Sequence, residues 1–116
     1  YRHMRNRFGI PDTVLTEIRE RDKNCVYCHK TMISPYIDSE QRDWATIEHL
    51  NFDGPFYWKE GLRIEDVVIC CESCNSSRGI KKLSDWFTTE YCKYRNINEE
   101  TVAAPVKMYL KRSILK

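Results

Sequence analysis

Two Cys-x-x-Cys pairs, Cys25-Val26-Tyr27-Cys28 and Cys71-Glu72-Ser73-Cys74, stand 42 residues apart and constrain this chain more than anything else in it. A CxxC turn aims two sulfurs at one point, and two such turns complete the tetrahedral shell that zinc takes. Four thiolates leave no open position, so an ion held by Cys25, Cys28, Cys71 and Cys74 is structural. Six cysteines would also suit a disulfide framework in a secreted chain, but the paired spacing favours zinc. Cys70 adjoins the second pair and is an alternative to Cys71, at the cost of three residues between it and Cys74. Cys92 reads as a small buried core residue. A redox role for the CxxC pairs is disfavoured, because the two look matched to each other.

The 116 residues fit one domain, residues 1–116, near the size where a single core stabilises only modestly and a metal staple adds much. The net charge of +2 is too small to argue for nucleic acid, but its distribution is uneven. Residues 29–69 carry four Lys/Arg against eight Asp/Glu, and residues 78–116 carry nine against four. That asymmetry suits a polyanion held beside a cation site, although a solvated helix face would look similar. No signal peptide is visible and the longest apolar run is Val67 to Cys71, so a cytoplasmic protein of a reducing compartment with no membrane partner is expected. The chain starts at Tyr1 rather than Met, as a processed form or a piece of a longer protein would.

Residues 1–10 form a basic arm with Arg2, Arg5 and Arg7, and with Phe8 and Ile10 as first core anchors. Pro11-Asp12 opens a helix to about Asp22, with Asp12 as its cap and Val14, Leu15 and Ile18 on one face. Ser34-Pro35 and Asp38-Ser39 read as loop. Trp44 to His49 is a strand, Asp53-Gly54-Pro55 a turn, and Val67-Val68-Ile69 a short buried strand. A short helix after the second CxxC ends at Gly79. Ser84 caps a helix from Asp85 to about Arg95 with Trp86, Phe87 and Tyr91 inward. Asn98-Glu99-Glu100 begins the last helix, which Pro105 bends or truly starts, with Val106, Tyr109 and Leu110 on its apolar side.

Glu48, His49 and Asn75 offer a carboxylate, an imidazole and an amide oxygen. The oxygens suit a harder ion than the thiolates do, and a neutral His can take a proton from water. Strand neighbours face opposite ways, so Glu48 and His49 share a centre only at a strand end or distortion. The plain alternatives are a surface His and an Asn that caps the helix after Cys74.

Residues 19–83 resemble the HNH endonuclease family. The likeness runs through Arg21-Asp22, Cys25-x2-Cys28, Thr46-Ile47-Glu48-His49, Asp66-Val67-Val68-Ile69-Cys70-Cys71 and Cys74-Asn75-Ser76-Ser77-Arg78-Gly79. The resemblance implies a small zinc-stabilised α+β fold, a ββα-metal core with flanking helices, the C-terminal ones spanning 84–116. It implies hydrolysis of DNA phosphodiester bonds to 5′-phosphate and 3′-hydroxyl ends. His49 falls at the general base, Glu48 and Asn75 at the ligands of a catalytic Mg²⁺ or Mn²⁺. Asp66 falls where an Asn braces the loop and orients the base, and Arg78 where a guanidinium holds phosphate. Glu48 is longer than the family's Asp, and Asp66 lacks the amide donor.

Arg78, Lys81 and Lys82 are the expected DNA contacts, with the N-terminal arginines and Lys107, Lys111, Arg112 and Lys116 as further basic groups. Phe56 and Trp58 read as cover for a small core rather than as contacts. Cutting both strands would call for a homodimer, since one such centre cuts one strand per event. The alternative function is a non-catalytic zinc module that binds nucleic acid or protein.

Overall fold

In the two-stranded antiparallel sheet, β1 (Ala45–His49) pairs with β2 (Val67–Cys71). Every β2 residue is buried, which its run of valines, isoleucine and cysteines accommodates. The register sets Ile47 opposite Ile69, Glu48 opposite Val68 and His49 opposite Val67. Thr46 reinforces it by donating its hydroxyl proton to the Cys70 carbonyl at 2.7 Å. The computed structural model describes residues 4, 6–34 and 41–114. Arg2, Arg5, Pro35, Asp38, Ser39 and Lys116 lie outside the described residues.

Helix α1 (Asp12–Arg21) packs on β2 through Leu15 and Ile18. Its last turn is tied to the sheet by Asp22, a buried carboxylate that accepts from the Ile69 amide at 3.0 Å and from Arg21 at 2.8 Å. Asp22 thus satisfies a strand amide that has no neighbouring strand to bond. Asp12 is not the cap expected from the sequence: Pro11 holds that position, and Asp12 is already helical. Pro at a helix start costs nothing, because the amide it lacks would be unpaired there.

Helix α2 (Glu72–Arg78) follows β2 without a linker. Cys71 is its N-cap, its sulfur accepting from the Cys74 amide at 3.4 Å. The helix stops at Gly79, whose φ of +55° and ψ of −125° suit glycine and few other residues.

The single helix expected over 85–95 is two, α3 (Leu83–Trp86) and α4 (Glu90–Arg95). Lys82 rather than Ser84 occupies the first cap position, and Thr89 breaks the helix. The Thr89 hydroxyl donates to the Trp86 carbonyl at 2.6 Å and accepts from the Cys92 amide at 3.4 Å, closing one helix and opening the next. Helix α5 (Ala104–Ile114) begins next to Pro105, so proline marks its start, and Asn98–Thr101 forms a separate turn. Together these elements make a small α+β protein with two strands and five helices among the described residues. None of those helices is long and apolar enough to cross a membrane.

Candidate functional site

The four cysteines converge as their spacing requires. The sulfurs of Cys25, Cys28, Cys71 and Cys74 all lie within 4.8 Å of one another, and those of Cys28 and Cys71 are 3.8 Å apart. A tetrahedron with metal–sulfur bonds of about 2.3 Å has edges of about 3.8 Å, so the cluster fits one zinc ion with little adjustment. The first pair sits in a turn closed by the Asn24–Thr31 bridge, and His29 takes a φ of 67° to complete it. The second pair straddles the β2–α2 junction. The first turn is held on the sheet by the Val26 amide, which donates to Ile69, and its carbonyl accepts from Ala103 at the entry to α5. A zinc ion here would therefore tie the Cys25–Cys28 turn, already bonded to the sheet and to the entry of α5, to the β2–α2 junction.

Crowding four thiols disturbs their acidities strongly. Hydrogen bonding from Cys25, Cys71 and Cys74 drives Cys28 far below the usual thiol range, while Cys25, Cys28 and Cys71 push Cys74 far above it. The cluster shares protons that a divalent ion would replace. Tyr91 donates its hydroxyl to the Cys74 sulfur at 3.3 Å. Cys70, also fully buried, is not among the four converging sulfurs; it lies 3.9 Å from the Thr46 hydroxyl. That resolves the alternative in favour of Cys71. Cys92 is likewise buried outside the cluster, in the core.

A cleft of about 400 Å³ lies beside this centre, and Glu48, His49, Asn75 and Arg78 are all on its wall. His49 is the last residue of β1, so the strand-end condition for sharing a centre with Glu48 is met. Its Nε2 lies 3.0 Å from the Phe56 carbonyl. A carbonyl only accepts, so Nε2 carries the proton and Nδ1 is left as a bare acceptor. Burial lowers the His49 pKa, against the opposing pull of that carbonyl, and the charges of Arg78 and Arg7 lower it further. These effects favour the neutral imidazole, which lies in one tautomer between the rings of Phe8 at 4.3 Å and Phe56 at 5.3 Å.

Asn75 is fixed just as firmly. Its Nδ2 donates to the Thr46 hydroxyl and to the Ile47 carbonyl, both at 3.0 Å. With the amide nitrogen so committed, Oδ1 is the free acceptor on a residue that lines the cleft. Asn75 lies inside α2 and is no cap.

Glu48 is the most constrained of the set. Its Oε2 accepts from the Tyr27 hydroxyl at 2.8 Å and from Arg78 at 3.0 Å, and the residue is 4% exposed. Burial raises its pKa, partly offset by the Arg78 charge and the hydrogen bonds from Tyr27 and Arg78. Among the described residues only Oε2 receives hydrogen bonds, which leaves Oε1 as its free lone-pair face.

Arg78 does not occupy the phosphate-contacting position expected of it. It is 1% exposed, and its guanidinium is spent internally. Nε donates to the Lys81 carbonyl at 2.8 Å, Nη2 to the Leu50 carbonyl at 2.8 Å, and Nη1 to Glu48 and to the His49 carbonyl. It clamps the end of β1 to the end of α2 with four of its five N–H donors, and its burial keeps it from the surface where a phosphate would lie. Lys81 and Lys82 are exposed, with Lys81 Nζ 3.3 Å from the Ser77 carbonyl and Lys82 Nζ 4.8 Å from the Phe52 ring centre. Arg112 bonds the Glu65 carbonyl at 3.0 Å, while Lys107 and Lys111 are exposed.

The Asp66 side chain is 3.6 Å from Arg112, and its carbonyl accepts from the Leu50 amide at 2.8 Å. The bracing of the loop falls instead to Asn51, whose Nδ2 donates to the Pro55 carbonyl at 3.1 Å. That contact holds the segment whose next carbonyl, on Phe56, orients His49. Asn51 Oδ1 is buried without a partner. Asn51, Tyr27 and Thr46 were not singled out as site residues from the sequence. An Asn just ahead of the Asp53-Gly54-Pro55 turn was a legible signal for the first; nothing local announced the other two. The chain matches no protein-family model, no curated protein and no solved structure.

Proposed function

We propose that this protein is a metal-dependent endonuclease of the HNH kind, hydrolysing DNA phosphodiester bonds with His49 as general base. The observation that carries the reading is His49, whose Nε2 contact with the Phe56 carbonyl leaves Nδ1 as the acceptor, on the wall of one cleft with Glu48 and Asn75. Nδ1 would take the proton from the attacking water. Glu48 Oε1 and Asn75 Oδ1 would hold a Mg²⁺ or Mn²⁺ ion, which keeps most of its waters and asks few ligands of a protein. When bound, such an ion polarises the phosphoryl oxygen and stabilises the leaving alkoxide. Thr46 and Ile47 orient the amide of Asn75, Phe56 orients the base, and Phe8 and Phe56 keep bulk water from its faces. The ββα-metal architecture and the DNA substrate belong to the same proposal.

The test is plasmid cleavage by the zinc-loaded protein with and without added Mg²⁺ or Mn²⁺, beside a His49→Ala variant. Metal-dependent nicking that disappears in the variant is the expected result. Undiminished cleavage by the variant, or no cleavage of plasmid or of single-stranded DNA with any ion, would sink it.

One observation favours the second reading, a non-catalytic zinc module. Arg78 already neutralises Glu48, which weakens the carboxylate's hold on a further cation. In that case nucleic-acid binding would not respond to Mg²⁺ or Mn²⁺ once zinc is saturated.

A further inference from the structure

We propose that the nucleic acid this cleft accepts is single-stranded DNA, whose unpaired bases stack on rings flanking His49. The inference rests on the nuclease reading for the identity of the polymer, but it stands on separate observations. The cleft wall carries one pair of ring and cation, Arg7 with Phe8, and the ring of a second, Phe52, whose cation Lys82 lines the neighbouring groove. On one side the Arg7 guanidinium lies 5.5 Å from the Phe8 ring centre. On the other, Lys82 Nζ lies 4.8 Å from the ring centre of Phe52, which is 41% exposed. Each pair continues into a neighbouring hollow. Arg7 and Phe8 also line a groove of about 550 Å³ backed by Tyr57 and Trp58. Phe52 also lines a groove of about 840 Å³ backed by Phe87 and Tyr109. The hollow that holds His49 thus adjoins one groove at Phe8 and another at Phe52, and Phe52 and Tyr57 are the rings that stand exposed along them.

Charge decides between one strand and two. Outside the Glu48–Arg78 pair, the three hollows carry Arg7, Lys59, Lys82 and Lys93 against Glu60, Glu72 and Glu99. Duplex binding draws most of its affinity from neutralising phosphates, and this balance supplies little. Stacking on aromatic rings is sequence-tolerant and strong, but it needs bases that are not already paired. A ring with a cation beside it, as at Phe8 with Arg7 and Phe52 with Lys82, is suited to a single strand, whose base can stack while the adjoining phosphate meets the cation. Two such phosphate contacts give a shallow salt dependence, a log–log slope of about −1.4.

The experiment is fluorescence anisotropy with the full zinc-loaded chain, without Mg²⁺ or Mn²⁺ so that the probe stays intact. The probes are a labelled twelve-nucleotide DNA strand and the same strand annealed to its complement. The single strand should bind at least about tenfold more tightly. Phe52→Ala should weaken strand binding about tenfold and leave duplex binding unchanged, while Phe52→Tyr should retain it. Phe52 is exposed enough that its truncation should spare the fold, which zinc content and circular dichroism would verify. Equal or tighter duplex binding, no effect of Phe52→Ala, or no binding of either probe would overturn the inference. Cleavage of relaxed duplex as fast as of a single strand would overturn it and leave the nuclease reading intact. Strand binding without cleavage under any ion would do the reverse.

Discussion

Replacing Arg78 with methionine should destabilise this protein severely, and more so at higher pH. The variant keeps the approximate length of the side chain but removes every donor of the clamp. Glu48 loses its ion-pair partner at 3.0 Å, and the carbonyls of His49, Leu50 and Lys81 lose theirs. Removing one member of a buried pair costs about 3–5 kcal/mol, and an orphaned buried carbonyl adds about 1 kcal/mol or more. The sum, about 4–6 kcal/mol with only the fully buried Leu50 carbonyl counted, is a large part of the roughly 5–15 kcal/mol that holds a domain folded.

The pH dependence comes from Glu48. Its pKa is raised in the folded protein by burial, with Arg78 the main counterweight. A carboxyl raised on folding binds its proton more tightly in the native state, so its contribution is complete below the unfolded pKa. It is lost as pH rises through the folded value. Without Arg78 that folded value rises further, and the window widens upward. The loss measured by urea unfolding of zinc-loaded protein should therefore be smaller near pH 5 than near pH 8, changing by at most about 1.4 kcal/mol per pH unit. Adding Glu48→Gln, which removes the charge, should recover part of the loss at pH 8 and little at pH 5. A loss below about 1 kcal/mol at pH 8, or the same loss at both pH values, would refute the clamp.

Elemental analysis should find one zinc per chain, and a chelator should abolish cooperative unfolding, because the cluster joins the first CxxC turn to the sheet and to α2. Cys71→Ala should lose that zinc and Cys70→Ala should keep it; full zinc occupancy in Cys71→Ala would show that the ligands are misassigned. If His49 is the base, its lowered pKa keeps the imidazole neutral below the usual value of 6.5. The acidic limb of a kcat/KM profile should therefore fall below that pH, and a limb above it would contradict the buried, desolvated imidazole.

The sheet and most helices were legible because their causes are local. Alternating and β-branched residues marked β1 and β2, and Gly79 and Pro105 punctuated α2 and α5 where a positive φ and a missing amide required it. The break at Thr89 was hidden because Trp86, Phe87 and Tyr91 keep helical spacing across it, while a single hydroxyl ends one helix and starts another. Arg78 misled for a similar reason. Its residue type fits a phosphate, and only the folded positions of Glu48 and of the His49, Leu50 and Lys81 carbonyls show that four of its five donors are engaged internally.

The sequence by itself narrowed the sulfurs that could share an ion to two CxxC pairs, with Cys70 as the one alternative to Cys71, because a CxxC turn aims both its thiols at one point. It also offered His49, Glu48 and Asn75 as residue types able to supply a base and oxygen ligands. Only the tertiary structure decided what each of them is free to do. Tyr27 and Arg78 reach Glu48 from 21 and 30 residues away, Thr46 turns the Asn75 amide from 29, and the Phe56 carbonyl chooses the His49 tautomer. Those are properties of partners, and a side chain's free lone pairs are known only once its other atoms have found theirs.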